Sequence, residues 1–157
     1  MSTATRKGVG VSVGIYASDF HPMLMGSPST KGGVYAATGA ALSIACGRLS
    51  FALGLQGVCE SIDVACASGL VALHAAAVAV GRGECGAAVA LAVSLKLSPQ
   101  GTLGAAAAGM LSEDGRCKTF DARANGYVRA EGVVALQLCS FAGVLHAEVD
   151  GSAVRQD

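Results

Sequence analysis

The chain has 157 residues, 11 basic and 11 acidic side chains, and 30 alanines with 22 glycines. At 52% hydrophobic content it lacks the composition of a disordered chain, and its zero net charge provides no field to attract a phosphate backbone, so nucleic acid is not expected as a partner. Charged residues are only 14%, against roughly 25% in ordinary soluble domains, so part of the surface is expected to lie under a second subunit or another piece of the same fold.

Arg6 and Lys7 precede an apolar run as in a secretion signal, but the run alternates Val or Ile with Gly or Ser and no small-residue cleavage site follows. Residues 9–16 therefore read as a buried strand, and the glycines Gly8, Gly10 and Gly14 as part of it rather than as a dinucleotide-binding fingerprint. Residues 21–31, with Pro22 and Pro28, read as loop. Residues 34–50 are Ala-rich and helix-capable, weakened by Gly39 and Gly47. Residues 57–64 form a strand candidate with Val58, Ile62 and Val64 on one face. The strongest helix is 67–80, with Gly81 as its expected C-terminal cap and Arg82 adding charge favourable to that end. Residues 87–95 make a second apolar strand, 105–110 a small-residue turn of helix or loop, 112–126 a polar stretch with turn signals, and 133–141 a further strand. Alternating strands and helices imply α/β layers. One domain over 1–157 is expected, with an irregular tail from about residue 139.

No membrane span is expected, because one needs roughly 20 mostly apolar residues and the longest candidate, 86–103, is interrupted by Lys96, Pro99 and Gln100. Cys46, Cys59, Cys66, Cys85, Cys117 and Cys139 include no pair at C-x-x-C spacing, which speaks against a zinc ribbon or a redox motif. No metal and no cofactor is expected. The scatter of cysteines suits a reducing compartment, the cytoplasm or an organelle such as a plastid.

The stretch 61–74, Ser-Ile-Asp-Val-Ala-Cys-Ala-Ser-Gly-Leu-Val-Ala-Leu-His, carries the clearest chemistry. A strand ends, Cys66 sits in a tight turn, and a long helix starts at once. Unpaired N–H groups and the positive end of a helix dipole favour thiolate over thiol, and the small neighbours Ala65, Ala67, Ser68 and Gly69 leave the sulfur approachable. Cys66 is the candidate nucleophile; placement alone also admits a packed structural cysteine.

Several blocks in order resemble the N-terminal part of a β-ketoacyl synthase, in particular the ketosynthase domain of modular polyketide and fatty acid synthases. Residues 38–57 resemble the segment before that family's active site, and Asp63-Val-Ala-Cys66-Ala-Ser-Gly-Leu-Val-Ala-Leu-His74 resembles its active-site motif D-T-A-C-S-S-S-L-V-A-L-H. Residues 109–121 and 126–132 resemble the P-D-G-R-C-K-x-F-D and G-x-x-x-x-E-G blocks, and 151–157 resembles G-x-A-V-N-Q-D. Val64, Ala67 and Arg155 depart from these patterns, and the stretch between Leu138 and His146 is shorter than the family's.

The resemblance implies a thiolase-like layered α/β/α fold represented by part of its N-terminal half. It implies decarboxylative Claisen condensation of acyl and malonyl thioesters, with the acyl chain on Cys66 and delivered by an acyl carrier protein bearing phosphopantetheine. A homodimer or other synthase domains are the implied partners. The family's two catalytic histidines, its lysine and its Gly-rich loop fall in motifs this sequence does not contain, so catalysis by the chain alone is in question. His74 is an unsuitable substitute, because eight helical residues separate it from Cys66 by about 12 Å, beyond the roughly 3 Å reach of a catalytic base. His21 and His146 lie in loop and tail, and are not expected to act either. Alternative readings are a non-catalytic fragment that binds or dimerises, and a thiolase acting on CoA thioesters; the block 116–121 favours the synthase. Glu113, Asp114, Arg116, Lys118, Asp121, Arg123, Arg129 and Glu131 read as a solvated face with local ion pairs, while their family position implies a buttress for the substrate channel. Residues 101–110 fall where the resemblance implies acyl-pocket lining, here Thr102, Leu103 and Ala105 to Ala108.

Overall fold

The computed structural model describes residues 8–16, 19, 36–140 and 146–156. The expected loop at 21–31, with His21, lies outside these residues. The chain divides into two compact units, one within Met1–Ala17, Ala41–Val93 and Val133–Asp157, the other within Ser18–Ala40 and Ser94–Gly132.

The first unit is built on a four-stranded sheet of order β2-β1-β3-β4, comprising β1 (Val9–Ile15), β2 (Cys59–Ile62), β3 (Ala87–Ser94) and β4 (Gly132–Cys139). β1 pairs in parallel with β2, Val13 opposite Ser61, and with β3, Val13 opposite Leu91. The central strand is buried along almost its whole length, as its unbroken apolar and small sequence requires.

Strand alternation sends two sets of side chains to opposite faces. On one face Val11 and Val13 pack with Cys46, Leu49 and Leu91. Cys46 and Leu49 belong to helix α2 (Ala45–Leu53). On the other face Ala88 and Ala90 pack against Ala76, Ala79 and Val80 of helix α3 (Ser68–Gly81). A helix on each side of a mostly parallel sheet makes the α/β/α layering. Alanine dominates the α3 layer, so helix and sheet approach closely through small side chains.

Three local expectations are revised. The helix read over 34–50 is interrupted, with α1 (Ala36–Ala40) in the second unit, then a 3₁₀ turn (Leu42–Ile44), then α2 running on to Leu53. Ala41 turns extended between them (φ −73°, ψ 117°). Propensity alone would continue the helix, but Cys46 and Leu49 must meet Val11 and Val13, and tertiary packing decides. The cap of α3 is Gly83 rather than Gly81. Gly83 takes the left-handed conformation (φ 71°), its N–H donates to the Val80 carbonyl at 3.0 Å, and the Glu84 N–H donates to the Ala79 carbonyl at 2.9 Å. This paired closure is a Schellman motif, and it needs the left-handed residue two positions later than expected. β2 is shorter than 57–64, and Val64 lies beyond it, exposed.

In the second unit, α4 (Gln100–Ala107) begins earlier than the small-residue turn expected at 105–110. The following polar stretch folds back so that Ser112 N–H donates to the Tyr127 carbonyl and Tyr127 N–H to the Met110 carbonyl, each at 3.0 Å. Residues 146–156 carry no helix or strand. No helix among the described residues is long and apolar enough to cross a membrane.

Candidate active site

Cys66 lies in a one-turn 3₁₀ segment, Ala65–Ala67, that joins β2 to α3. It is therefore beyond the C-terminal end of a parallel strand and at the start of a helix of 14 residues, the place where open α/β sheets put their reactive groups. The residue is exposed.

The turn is held in a strained conformation. Ala65 has φ 53°, in the left-handed region that costs a non-glycine residue about 1–3 kcal/mol. Two side chains hold it there. Asp63 Oδ1 accepts the Ala65 N–H at 3.1 Å. The Ser68 hydroxyl accepts the Val64 N–H at 2.9 Å and donates to the Ala65 carbonyl at 2.7 Å. Ser68 is 4% exposed, so it is not one of the small neighbours that open a path to sulfur; it closes the turn from beneath. Its bonds run back to residues three and four positions earlier, local side-chain-to-backbone bonds of the kind open to Ser.

The start of α3 sits directly on β1. A Cβ on Gly14 would stand 2.4 Å from the Ser68 carbonyl oxygen and 2.7 Å from the Gly69 nitrogen, so only glycine admits the helix at this depth. Gly14 thus serves the elbow as well as the strand.

His74 lies on α3 two turns beyond Cys66, its Nδ1 2.8 Å from the Ser152 hydroxyl of the tail. This is a structural contact between helix and tail. His146 lies in the irregular tail. Cys46 and Cys85 are buried, whereas Cys59 and Cys117 are exposed. Among the described residues no group of three His, Cys, Asp or Glu gathers to hold a metal ion.

The charge-rich stretch forms local pairs in the second unit. Lys118 Nζ lies 2.6 Å from Asp114, and Arg123 lies 2.7 Å from Asp121. The Lys118 ammonium and the Ser112 hydroxyl hold the Asp114 carboxyl well below its usual range, and the Arg123 guanidinium lowers that of Asp121. Arg129 donates to the Thr102 hydroxyl at 3.0 Å, and Glu131 accepts the Lys96 N–H at 2.7 Å. Apart from Lys118, Asp121 and Arg129, these charged residues are exposed, as a solvated face would be.

Residues 1–141 match the family model for the β-ketoacyl synthase N-terminal domain. The chain belongs to the β-ketoacyl synthase family. A phenolphthiocerol/phthiocerol polyketide synthase of Mycobacterium tuberculosis is 40% identical over 153 residues, covering 94% of this chain and 10% of that protein. A highly reducing polyketide synthase of Gibberella fujikuroi is 39% identical over 155 residues, 99% of this chain and 6% of its own length. Among solved structures, the ketosynthase from module 6 of the bacillaene synthase of Bacillus subtilis superposes with a TM-score of 0.74 at 38% identity, over 87% of this chain and 22% of that one. The oxazolomycin ketosynthase domain of Streptomyces albus gives 0.73 at 34% identity, over 83% and 23%. This β-ketoacyl synthase chain therefore has the thiolase-like fold of ketosynthases. It spans a tenth or less of the curated relatives described and about a fifth of the solved ones.

Proposed function

We propose that this chain carries the acyl-accepting nucleophile of a polyketide-type ketosynthase, and that Cys66 is that nucleophile. The observation that carries the reading is the exposed Cys66 on a strained, doubly buttressed turn at the head of α3. The first N–H groups of a helix have no intrahelical acceptors, and their dipole favours negative charge on an adjacent oxyanion. Cys66 thiolate attacks the carbonyl carbon of an acyl thioester. The carbon–sulfur bond to the carrier thiol breaks, and that thiol leaves with a proton. The acyl group then waits on Cys66 for a carbanion formed by decarboxylation of a malonyl thioester. Carbon–carbon bond formation expels the Cys66 thiolate and yields a β-keto thioester.

The polyketide synthase names of the relatives favour carrier-protein thioesters over the CoA thioesters of a thiolase. The homologous segments belong to long multidomain chains, so the acyl carrier protein and the other synthase domains are the fitting partners. We place all 157 residues in one ketosynthase domain.

Condensation needs a second contribution, N–H donors that stabilise the enolate as carbon dioxide departs; removing one such donor typically costs about 10²–10³ in rate. Of the three histidines in the sequence, His74 is held by Ser152 and is remote from Cys66 along its helix. The 157-residue chain alone should accept an acyl group and form no carbon–carbon bond. Incubation with an acyl thioester and a radiolabelled malonyl thioester tests this. Cys66-dependent β-keto product from this chain alone would overturn the assignment of the donors to other sequence.

A further inference from the structure

The first turn of α3 rests on a row of sheet positions that differ sharply in size. Gly14 of β1 pairs with Ile62 of β2 on one side and with Ala92 of β3 on the other. Paired positions share a face of the sheet, here the face on which Ala88 and Ala90 pack against α3. The row therefore runs from a bulky branched side chain through a lone hydrogen to a methyl group. Gly14 lies under Ser68 and the Gly69 nitrogen. Ala92 lies beside Gly69: a Cβ on Gly69 would stand 2.9 Å from the Ala92 Cβ. Carbon atoms in contact keep about 3.5–4.0 Å. Among the described residues, no other atom outside the helix's own backbone and the adjoining residues comes within 4 Å of that position. Glycine weakens a helix, and the motif D-T-A-C-S-S-S-L-V-A-L-H that residues 63–74 resemble carries Ser at the position of Gly69. The Ala92 methyl stands where that side chain would begin.

We infer that Gly69 and Ala92 are a size-matched pair of positioning residues, whose fit sets the depth at which α3 starts and with it the placement of Cys66 against an acyl thioester. The inference rests on the reading of Cys66 as the acyl-accepting nucleophile. The path from the pair to the sulfur is short. Ser68 adjoins Gly69, and its hydroxyl holds the Val64 N–H and the Ala65 carbonyl. Cys66 lies in the turn so held. A side chain at 69 meets a methyl group that has no rotamer to escape into, so the helix start must lift from β3 or β3 must move. A lifted Ser68 carries the turn and the sulfur with it. Misplacing a reacting group by about 1 Å can cost about 10²-fold in rate.

The experiment compares the full chain with Gly69→Ser, Ala92→Gly and the double variant. It records the melting temperature and, for Cys66, the rate of acylation by an acyl phosphopantetheine thioester against the rate of alkylation by iodoacetamide. Alkylation needs only an accessible thiolate, whereas acyl transfer also needs the sulfur aligned with a held carbonyl. A merely structural change therefore leaves the ratio of the two rates per folded molecule unaltered. Gly69→Ser should melt lower and lose about tenfold or more in acylation, towards 10², with a smaller loss in alkylation. In the double variant the melting temperature and the ratio should both return towards those of the unaltered chain, because the obstructing methyl is gone. A double variant that melts no higher than Gly69→Ser overturns the size match. An unaltered ratio in Gly69→Ser overturns the positioning role. If Gly69→Ser does not fold, a double variant that folds and accepts the acyl group supports the pair, and one that does not overturns it. An unaltered chain that takes no acyl group on Cys66 removes the nucleophile and the positioning role together, while the melting temperatures still decide the size match.

Discussion

Gly14 of β1 lies against the backbone of Ser68, with space for a hydrogen and none for a methyl group: a Cβ there would stand 2.4 Å from the Ser68 carbonyl oxygen. The first residue of α3 is thereby seated on the central strand, and Cys66 is held two residues before that seat. Gly14→Ala must lift the helix start or bend the strand. Overpacking of this kind costs about 1–3 kcal/mol. The expected outcome is a lower melting temperature together with slower alkylation of Cys66. An unchanged alkylation rate would separate the elbow from the strand beneath it.

Ser68→Ala removes both bonds that close the turn and leaves the Val64 N–H without its acceptor. Val64 and Ala65 are exposed, so water replaces the lost partners and each bond removed costs about 0.5–1.5 kcal/mol. The strained Ala65 should then relax, with loss of acyl transfer to Cys66 exceeding the loss of stability. Thr at 68 keeps the hydroxyl and should restore part of the transfer rate. Equal transfer by the Ala variant and the unaltered chain would show that the hydroxyl is dispensable.

Cys66 should be the fastest cysteine to alkylate. Cys46 and Cys85 are buried, the Cys59 thiol is pushed upward by its surroundings, and Cys117 accepts the Val128 N–H at 3.2 Å without standing at a helix start. Brief iodoacetamide treatment with peptide mapping ranks them. Faster labelling of Cys117 or Cys59 contradicts the elbow reading.

The isolated chain should self-associate. Leu70 is 75% exposed, and Val133 and Val134 on adjacent, opposite-facing positions of β4 are 61% and 56% exposed. With 14% charged residues the surface offers little repulsion. Sedimentation should show dimers or larger species, and Val133→Lys with Val134→Lys should reduce them. A clean monomer at high concentration contradicts this.

Acid should weaken the second unit through Asp114 and Asp121, whose carboxyls are lowered by Lys118 and Arg123. A depressed folded-state pKa contributes stability that is fully present above the unfolded value of about 4 and is lost as pH falls through the folded one. Thermal melts between pH 5 and pH 2 should decline less steeply for Asp114→Asn, and added salt should narrow the difference because the pairs are exposed. Identical pH slopes would remove Asp114 from the account.

Much of this was legible in the sequence. The strands at 9–16 and 87–95 announced themselves by apolar and small residues, and the junction around Cys66 by a strand pattern giving way at once to a helical one. The interruption at Ala41 was not legible, because nothing in an Ala-rich run tells which residues must meet Val11 and Val13 across the sheet. Gly81 looked like the cap of α3 because it is the first glycine after the helical run, yet the left-handed position falls at Gly83. The service of Gly14 to the elbow could not be read either, since the residue it admits is 54 positions away.

The most direct measurement is the mass of the acyl-enzyme. The chain, incubated with an acyl phosphopantetheine thioester and then digested, should carry one acyl group on the peptide containing Cys66, with none in Cys66→Ala. An acyl group on another residue, or the same yield in Cys66→Ala, would contradict the assignment of Cys66 as the acyl-accepting nucleophile.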